Sequence, residues 1–347
     1  MLAKTAPRCQ SPLMVNATRA RRADQGEPHE QYELLRWVAD LYYLQHQGQA
    51  DIAALIGASV SKVSRLLAEA RRQGIVTIHV APSRVGDSEL ECILARTLGL
   101  QAVYVAPARV TDGSVASRVA ALMGARVLPR LLPMQGTIGF SGGYTVAQLA
   151  QALEPLPGSD LVIVPLQGNW VDGGLHLHND QVCRDAAAHL GARSLSLPAP
   201  MVVERADTRD ALLLDRSIRP VTARWSELEL AVVGIGAAPG GLPRDYRSVM
   251  GLLPSEVQLE LSTGGVVGDL CAHMFDAQGR FVEHEVSQRT LSIPVDDLRR
   301  VPYVVAVAGG AHKAASLLGA VRTGIPRVLV TDQLAAERLL RLATGEA

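Results

Sequence analysis

The sequence describes an α/β protein in two parts, a winged helix-turn-helix head followed by a doubly wound, mostly parallel sheet. Three observations lead there. Residues 49–76 hold two amphipathic helices broken by a glycine, and beyond residue 100 short apolar runs alternate with helical stretches. Those runs are apolar throughout, as a strand must be when both faces of its sheet are covered. A chain of 347 residues also exceeds a typical single domain. The expected division is a disordered basic tail over 1–29, the head over 30–82, and the α/β domain over 83–347.

The tail is Arg-rich, is broken by Pro7, Pro12 and Pro28, and lacks the apolar stretch of a secretory signal. The head should open with a helix over Glu33–Gln47, with Leu34, Leu35, Val38, Leu41, Tyr42 and Leu44 along one side. Ile52, Ala53, Leu55 and Ile56 then give a short helix one apolar face. Gly57 ends it where a positive φ lets the chain turn. Ser59 can cap the next helix by accepting an orphan backbone N–H. Val63, Leu66, Leu67 and Ala70 recur at spacings of three and four, so that helix has one buried stripe. A strand over 75–80 follows as a candidate wing.

Away from that stripe stand Ser61, Lys62, Ser64, Arg65, Arg71 and Arg72, with Ser59 at the helix start. A helix in the major groove needs short polar side chains at its N-terminal end to reach base edges, and cations to hold phosphates. Residues 1–80 carry 10 Lys or Arg against 7 Asp or Glu, whereas the whole chain balances 34 against 34. Any attraction to double-stranded DNA is therefore local to the head and should fall steeply with salt. The alternative is a helix pair whose charged face is merely solvated.

An amphipathic helix over 87–99 precedes the α/β pattern. Strands are expected at 102–106, 136–140, 160–166, 229–236, 303–309 and 327–331. Helices are expected at 114–132, 144–153, 179–190, 209–217, 311–321 and 333–343. Residues 265–295 depart from the alternation and suggest a small antiparallel excursion around Gln278–Gly279. A composition 48% hydrophobic and 20% charged supplies a large core and excludes a disordered chain. No apolar run reaches the roughly 18–20 residues that cross a bilayer, so no membrane partner is expected. Cys9, Cys92, Cys183 and Cys271 are scattered and form no CxxC, which points to a reducing, cytoplasmic setting.

Ligands of such sheets sit at the carboxyl ends of strands, where helix N-termini point. Ser141-Gly142-Gly143-Tyr144-Thr145 is one such turn, with glycines for close backbone approach and free N–H groups to cradle an anion. Gly309-Gly310-Ala311-His312-Lys313 is a second, whose lysine can project a point charge over the anion. Its spacing lacks the Gly-Lys-Ser/Thr of a P-loop, so nucleotide hydrolysis is not implied. Gln167-Gly168-Asn169 is a third, followed by Asp172 and Asn179, which can hydrogen-bond hydroxyls. Asp269 can accept from a hydroxyl, and Asp332 either does so or caps the last helix. Gly234-Ile235-Gly236 lacks the third glycine of a dinucleotide fingerprint, and His176 with His178 lacks a third metal ligand. No cofactor, metal or catalytic set is therefore expected.

Together these residues resemble the SorC family of bacterial sugar-responsive transcription regulators. The likeness spans about residues 33–343. In the head it rests on Asp51-Ile52-Ala53, Gly57, Ser59, Val63-Ser64-Arg65-Leu66-Leu67, Ala70-Arg71 and Gly74-Ile75-Val76. Beyond the head it rests on Gly142-Gly143-Tyr144-Thr145, Leu197-Pro198-Ala199-Pro200, Val233-Gly234-Ile235-Gly236, Val267-Gly268-Asp269, Ala308-Gly309-Gly310 with Lys313, and Leu329-Val330-Thr331-Asp332. The resemblance implies an effector domain folded like sugar-phosphate isomerases and CoA transferases, a small carbohydrate effector that is usually phosphorylated, and a homo-tetramer or dimer on operator DNA. It further implies that Gly142, Gly143 and Thr145 hold a phosphate with Lys313, and that Asp269 meets sugar hydroxyls. Tyr144 and Gln167 depart from the pattern, since relatives often place Thr or Arg in the first position and some place a phosphate-binding Arg in the second. A free sugar, polyol or lactone is accordingly an alternative effector. An enzyme of the sugar-phosphate isomerase or deaminase type is the alternative function, because a fold does not carry a function.

Overall fold

The computed structural model describes residues 26–76, 88–170, 178–238 and 253–346, with side chains from residue 31. The expected tail as far as residue 25, and residues 77–80 of the expected wing, lie outside these. The chain divides into two compact units, Met1–Pro82 and Ser83–Ala347.

The first unit is helical among its described residues. α1 (Gly26–Ala39) includes the last four residues of the expected tail, and it runs directly into one π-helical turn, Asp40–Leu44. α2 (Gln49–Leu55) and α3 (Val60–Arg72) follow. Leu35, Val38, Leu41, Ile52, Ala53, Val63, Leu67 and Ala70 are buried between the three. Each large member contributes roughly 1.5–3 kcal/mol by leaving water. Two expected core residues are outside. The helix stops at Leu44, not Gln47, and Leu44 is 73% exposed, because the wider π turn rotates it off the α-helical stripe. Leu55 is 55% exposed, since Ile52, Ala53 and Ile56 centre the stripe away from it.

The second unit opens with α4 (Glu89–Leu98), started by a reciprocal cap. Ser88 Oγ accepts from the Glu91 N–H at 3.3 Å, and Glu91 Oε2 accepts from the Ser88 N–H at 2.9 Å. The other oxygen of this buried carboxylate accepts from the Val105 N–H at 2.7 Å and so ties α4 to β1 (Ala102–Ala106). The chain continues through α5 (Gly113–Val127), β2 (Gln135–Phe140), α6 (Tyr144–Gln151), β3 (Asp160–Pro165), α7 (Asn179–Leu190) and β4 (Arg193–Ser194). α8 (Ala206–Leu214), α9 (Arg219–Thr222), β5 (Leu228–Gly234), β6 (Gly236–Ala237) and α10 (Ser255–Thr263) follow. Next come β7 (Val266–Leu270), β8 (His273–Asp276), α11 (Glu285–Gln288) and α12 (Val295–Arg300). β9 (Tyr303–Val307), α13 (Ala314–Arg322), β10 (Val328–Asp332) and α14 (Gln333–Thr344) close the unit.

Seven strands form a wholly parallel sheet in the order β1-β10-β9-β5-β2-β3-β4. The uninterrupted apolar runs have the expected cause. Ile138, Phe140, Val232, Val305, Val307 and Val330 enter one core cluster, while Ala231, Val233, Val304, Ala306 and Leu329 enter the other. Successive residues of one strand thus serve opposite faces. From β2 the chain winds through β3 and β4 to one edge, then returns to β5 beside β2 and winds through β9 and β10 toward the other. The carboxyl ends of β2 and β5 therefore flank the topological switch point, where open α/β sheets place their ligands.

The antiparallel excursion is a three-stranded sheet, β6-β7-β8. Its hairpin turns at Cys271–Ala272, with φ of 49° and 65°, earlier than Gln278–Gly279. A second turn at Gln278–Gly279 brings Phe281 back to Phe275 as an isolated antiparallel bridge.

Candidate functional site

On α3 the residues expected to face DNA are all exposed: Ser59, Ser61, Lys62, Ser64, Arg65 and Arg71. Gly57 turns the chain with φ of 65°, and Ser59 Oγ accepts from the Lys62 N–H at 3.2 Å, which starts the helix. Lys62, Arg65 and Arg71 form no ion pair among the described residues, although Arg65 Nε leans back to the Ser61 carbonyl at 3.4 Å. Arg72 differs. It is paired with Glu69 on its own helix, and that hydrogen bond holds the Glu69 carboxyl below the usual range. Three cations and three serines thus project from one helix, enough for phosphate contacts and base-edge hydrogen bonds.

In the second unit the carboxyl end of β2 runs through Ser141 into the anion-type loop. Ser141 Oγ accepts from the Gly234 N–H at 3.0 Å and donates to the Gly142 carbonyl at 3.1 Å, which locks this loop to the end of β5. Gly143 stands at the helix N-cap with φ of 108°, a conformation that favours glycine, and no side chain caps α6. Thr145 lies buried in the first turn. The helix start thereby offers uncapped N–H groups at the switch point.

Lys313, the lysine expected to project over the anion, is drawn into the protein beside β5. It is 2% exposed, and its Nζ donates to the Ile235 carbonyl at 2.6 Å, immediately after β5. Its charge also acts on Asp269, which is 3% exposed. Asp269 pairs in register with Gly236, and its Oδ1 occupies the space a Cβ at Gly236 would need. Oδ2 accepts from the Ala272 N–H at 3.2 Å, whereas Oδ1 is buried with no hydrogen-bond partner among the described residues. Burial raises this carboxyl to about 6, against the lowering effects of the Ala272 N–H and the Lys313 charge. The Gly142–Thr145 loop, Gly234–Gly236, Asp269 and Lys313 are thus drawn together around one switch point.

Gln167, Gly168 and Asn179 gather one strand away, at the end of β3. Asn179 Nδ2 donates to the Gln167 carbonyl at 2.8 Å, leaving Asn179 Oδ1 and Gln167 Oε1 buried without partners among the described residues. Gly168 is structural in its backbone. Its N–H donates to the Leu291 carbonyl at 2.9 Å, and a Cβ there would strike the Pro200 backbone. Asp332 acts as a cap: Oδ1 accepts from the Ala335 N–H at 3.1 Å, and Oδ2 accepts from the Gly310 N–H of the loop after β9. Sequence reasoning missed the role of Ile235 and Gly236. Their Gly-Ile-Gly motif was legible as an incomplete dinucleotide fingerprint and as part of the family resemblance, and the paired strand that explains it is distant in sequence. Among the described residues no three His, Cys, Asp or Glu side chains gather as a metal site, and no helix is long and apolar enough to cross a membrane. Asp172 and His176 lie outside the described residues.

Comparison with known proteins adds four findings. Residues 83–341 match the profile of a family described as "Putative sugar-binding domain". The Sorbitol operon regulator of Klebsiella pneumoniae is 32% identical over 318 residues, 91% of this chain and 100% of the relative. Its full-length crystal structure superposes with a TM-score of 0.71, covering 89% of this chain and 98% of that one at 30% identity. The Deoxyribonucleoside regulator of Bacillus subtilis (strain 168) is 27% identical over 90% of this chain and 98% of its own.

Proposed function

The chain belongs to the sugar-binding-domain family of SorC-type transcription regulators, and from that premise we propose that α3 reads operator DNA while the switch-point pocket takes the controlling carbohydrate. The protein is a sugar-responsive transcription regulator and not an enzyme, as its full-length relatives are named regulators. Residues 30–82 act as the DNA-binding domain and 83–347 as the effector-binding and oligomerisation domain. The setting is the cytoplasm, where operator DNA is available.

The observation that carries the pocket assignment is the buried, unpartnered Oδ1 of Asp269 beside the uncapped start of α6. Leaving such an acceptor unsatisfied costs about 1–3 kcal/mol, which an effector hydroxyl would relieve. Gln167 Oε1 and Asn179 Oδ1 extend the same offer one strand over. The N–H groups of Gly143, Tyr144 and Thr145 receive an anionic or strongly polar group. Lys313 supports the pocket from behind, by compensating Asp269 and holding Ile235, instead of clasping a phosphate. The effector is accordingly a sugar, polyol or sugar phosphate.

Among the described residues of the head, Lys62, Arg65 and Arg71 are the Lys and Arg side chains outside an ion pair, and the chain is neutral overall. Two or four copies on paired half-sites supply the affinity that one cannot. The effector controls DNA binding by favouring one arrangement of copies over another.

The test uses the full-length chain in a thermal-shift screen with sorbitol, sorbitol 6-phosphate and a panel of pentoses, hexoses and their phosphates. Hits are then tested for their effect on retention of the protein's own promoter duplex. One carbohydrate should raise the melting temperature and change duplex affinity about tenfold, with both effects lost in Asp269→Asn. If no carbohydrate moves either readout, the pocket assignment fails.

A further inference from the structure

An open groove of about 490 Å³ lies beside the small antiparallel sheet, between α8, the segment 281–288 and the start of α12. None of the residues lining it belongs to the switch-point cluster. Its size is that of a small-molecule site, which typically spans roughly 300–1,000 Å³.

The lining carries both signs of charge. Arg209 and Arg299 supply the cations, and the Arg299 guanidinium lies over the Phe281 ring, 5.6 Å from its centroid. Among the described residues each is ion-paired with a near neighbour on its own helix, Arg209 with Asp210 at 2.7 Å and Arg299 with Asp296 at 3.2 Å. Pairs with exposed carboxylates of this kind are weak, so both guanidiniums keep N–H donors to offer. Glu283 and His273 supply acceptors. The His273 ring sits edge-on to Phe281, with centroids 6.2 Å apart, and its Nε2 donates to the Ile293 carbonyl at 2.7 Å. Burial lowers the His273 pKa against the raising effects of the Ile293 carbonyl and Glu283, and in the neutral ring that donates from Nε2 the Nδ1 is an acceptor. Ser287 also lines the groove, and its Oγ is itself buried with no hydrogen-bond partner among the described residues. Native proteins rarely leave such a hydroxyl unanswered.

We infer that this groove is a second ligand site, for a zwitterion of amino-acid or dipeptide size. Arg209 and Arg299 meet its carboxylate, Glu283 and His273 meet its ammonium group, and Phe281, Pro294 and Val295 carry its body. A simple anion would face Glu283 and Asp296, and a simple cation would face two guanidiniums. A molecule bearing both charges satisfies both sides.

Calorimetric titration of the full-length chain tests this, using the twenty amino acids and a set of dipeptides. Succinate, putrescine, inorganic phosphate and sorbitol serve as comparison ligands. At least one zwitterion should bind with Kd below about 1 mM, more tightly than any comparison ligand. Glu283→Gln removes an exposed carboxylate that forms no ion pair among the described residues, so it should keep the wild-type melting temperature while weakening the zwitterion about fivefold. Arg299→Gln should weaken it at least as much, and Asp269→Asn should leave it unchanged. The proposal is overturned if no zwitterion binds, or if a singly charged comparison ligand binds as tightly. It is equally overturned if Glu283→Gln and Arg299→Gln both bind normally, or if Asp269→Asn abolishes binding and so moves the ligand to the switch point.

Discussion

On α3, Lys62, Arg65 and Arg71 stand in solvent without ion pairs among the described residues, held outward by a buried stripe of Val63, Leu67 and Ala70. At the switch point, Lys313 and Asp269 are 2% and 3% exposed, and each is held by the backbone of a neighbouring segment. The same residue chemistry thus serves two ends. Charge in water costs the fold almost nothing and remains available to a partner. Charge removed from water has to be compensated within the protein, and whatever remains uncompensated is available to a ligand. A substitution on α3 should therefore change binding without stability, whereas one at the switch point should change both.

The largest expected effect tests the buried side of that contrast. Lys313→Ala leaves the Asp269 carboxylate buried without its cation and should lower the unfolding free energy by about 3–5 kcal/mol. Urea unfolding measures this, and a variant as stable as the wild type would erase the distinction between the two regions. The next test is pH. The Asp269 carboxyl rises from an ordinary 3.8 to about 6, so the folded chain keeps a proton there that the unfolded chain has released. That stability is whole below about pH 4 and is lost as the pH rises through 6. Between pH 4 and 7 the wild type should lose roughly 1–3 kcal/mol more than Asp269→Asn. Parallel stability profiles for the two proteins would show that the carboxyl titrates normally.

Two smaller effects sharpen the exposed side. Arg65→Ala should weaken operator binding about tenfold and flatten the salt dependence by roughly one unit of slope. Its stability should stay within about 0.5 kcal/mol of wild type. Unchanged affinity and slope would remove Arg65 from the DNA face. Gly57→Ala meets no atom within 4 Å, so only backbone strain at φ of 65° opposes it. A loss of about 1 kcal/mol in thermal unfolding is expected, and a loss several times larger would mean that the turn packs against something.

The parts of the fold that were legible share one property: their pattern repeats over enough residues to average out local noise. β2, β5, β9 and β10 are uninterrupted apolar runs because both faces of the sheet are covered, and α3 shows its stripe over 13 residues. α9 and α11, at four residues each, and the two-residue β4 span only about one period of their patterns, too little for a repeat to show. Leu44 was misplaced because a single π turn shifts the helical phase without any mark in composition. The Gly142–Thr145 loop was visible from its glycines and its place after a strand. The task of Lys313 was not, since the Ile235 carbonyl that holds it lies 78 residues earlier and joins it only when β5 and β9 pair.

The sequence by itself determined the helix-turn-helix, the parallel α/β sheet and the family, because periodicity, turn chemistry and motif order are local or linear properties. Tertiary structure alone decided which polar groups are spent and which remain: Asp332 on two backbone caps, Lys313 on Ile235, and Asp269 with one oxygen left over. Whether a polar atom is satisfied depends on partners that only the winding of the sheet brings within hydrogen-bond reach, and no linear pattern encodes that distance.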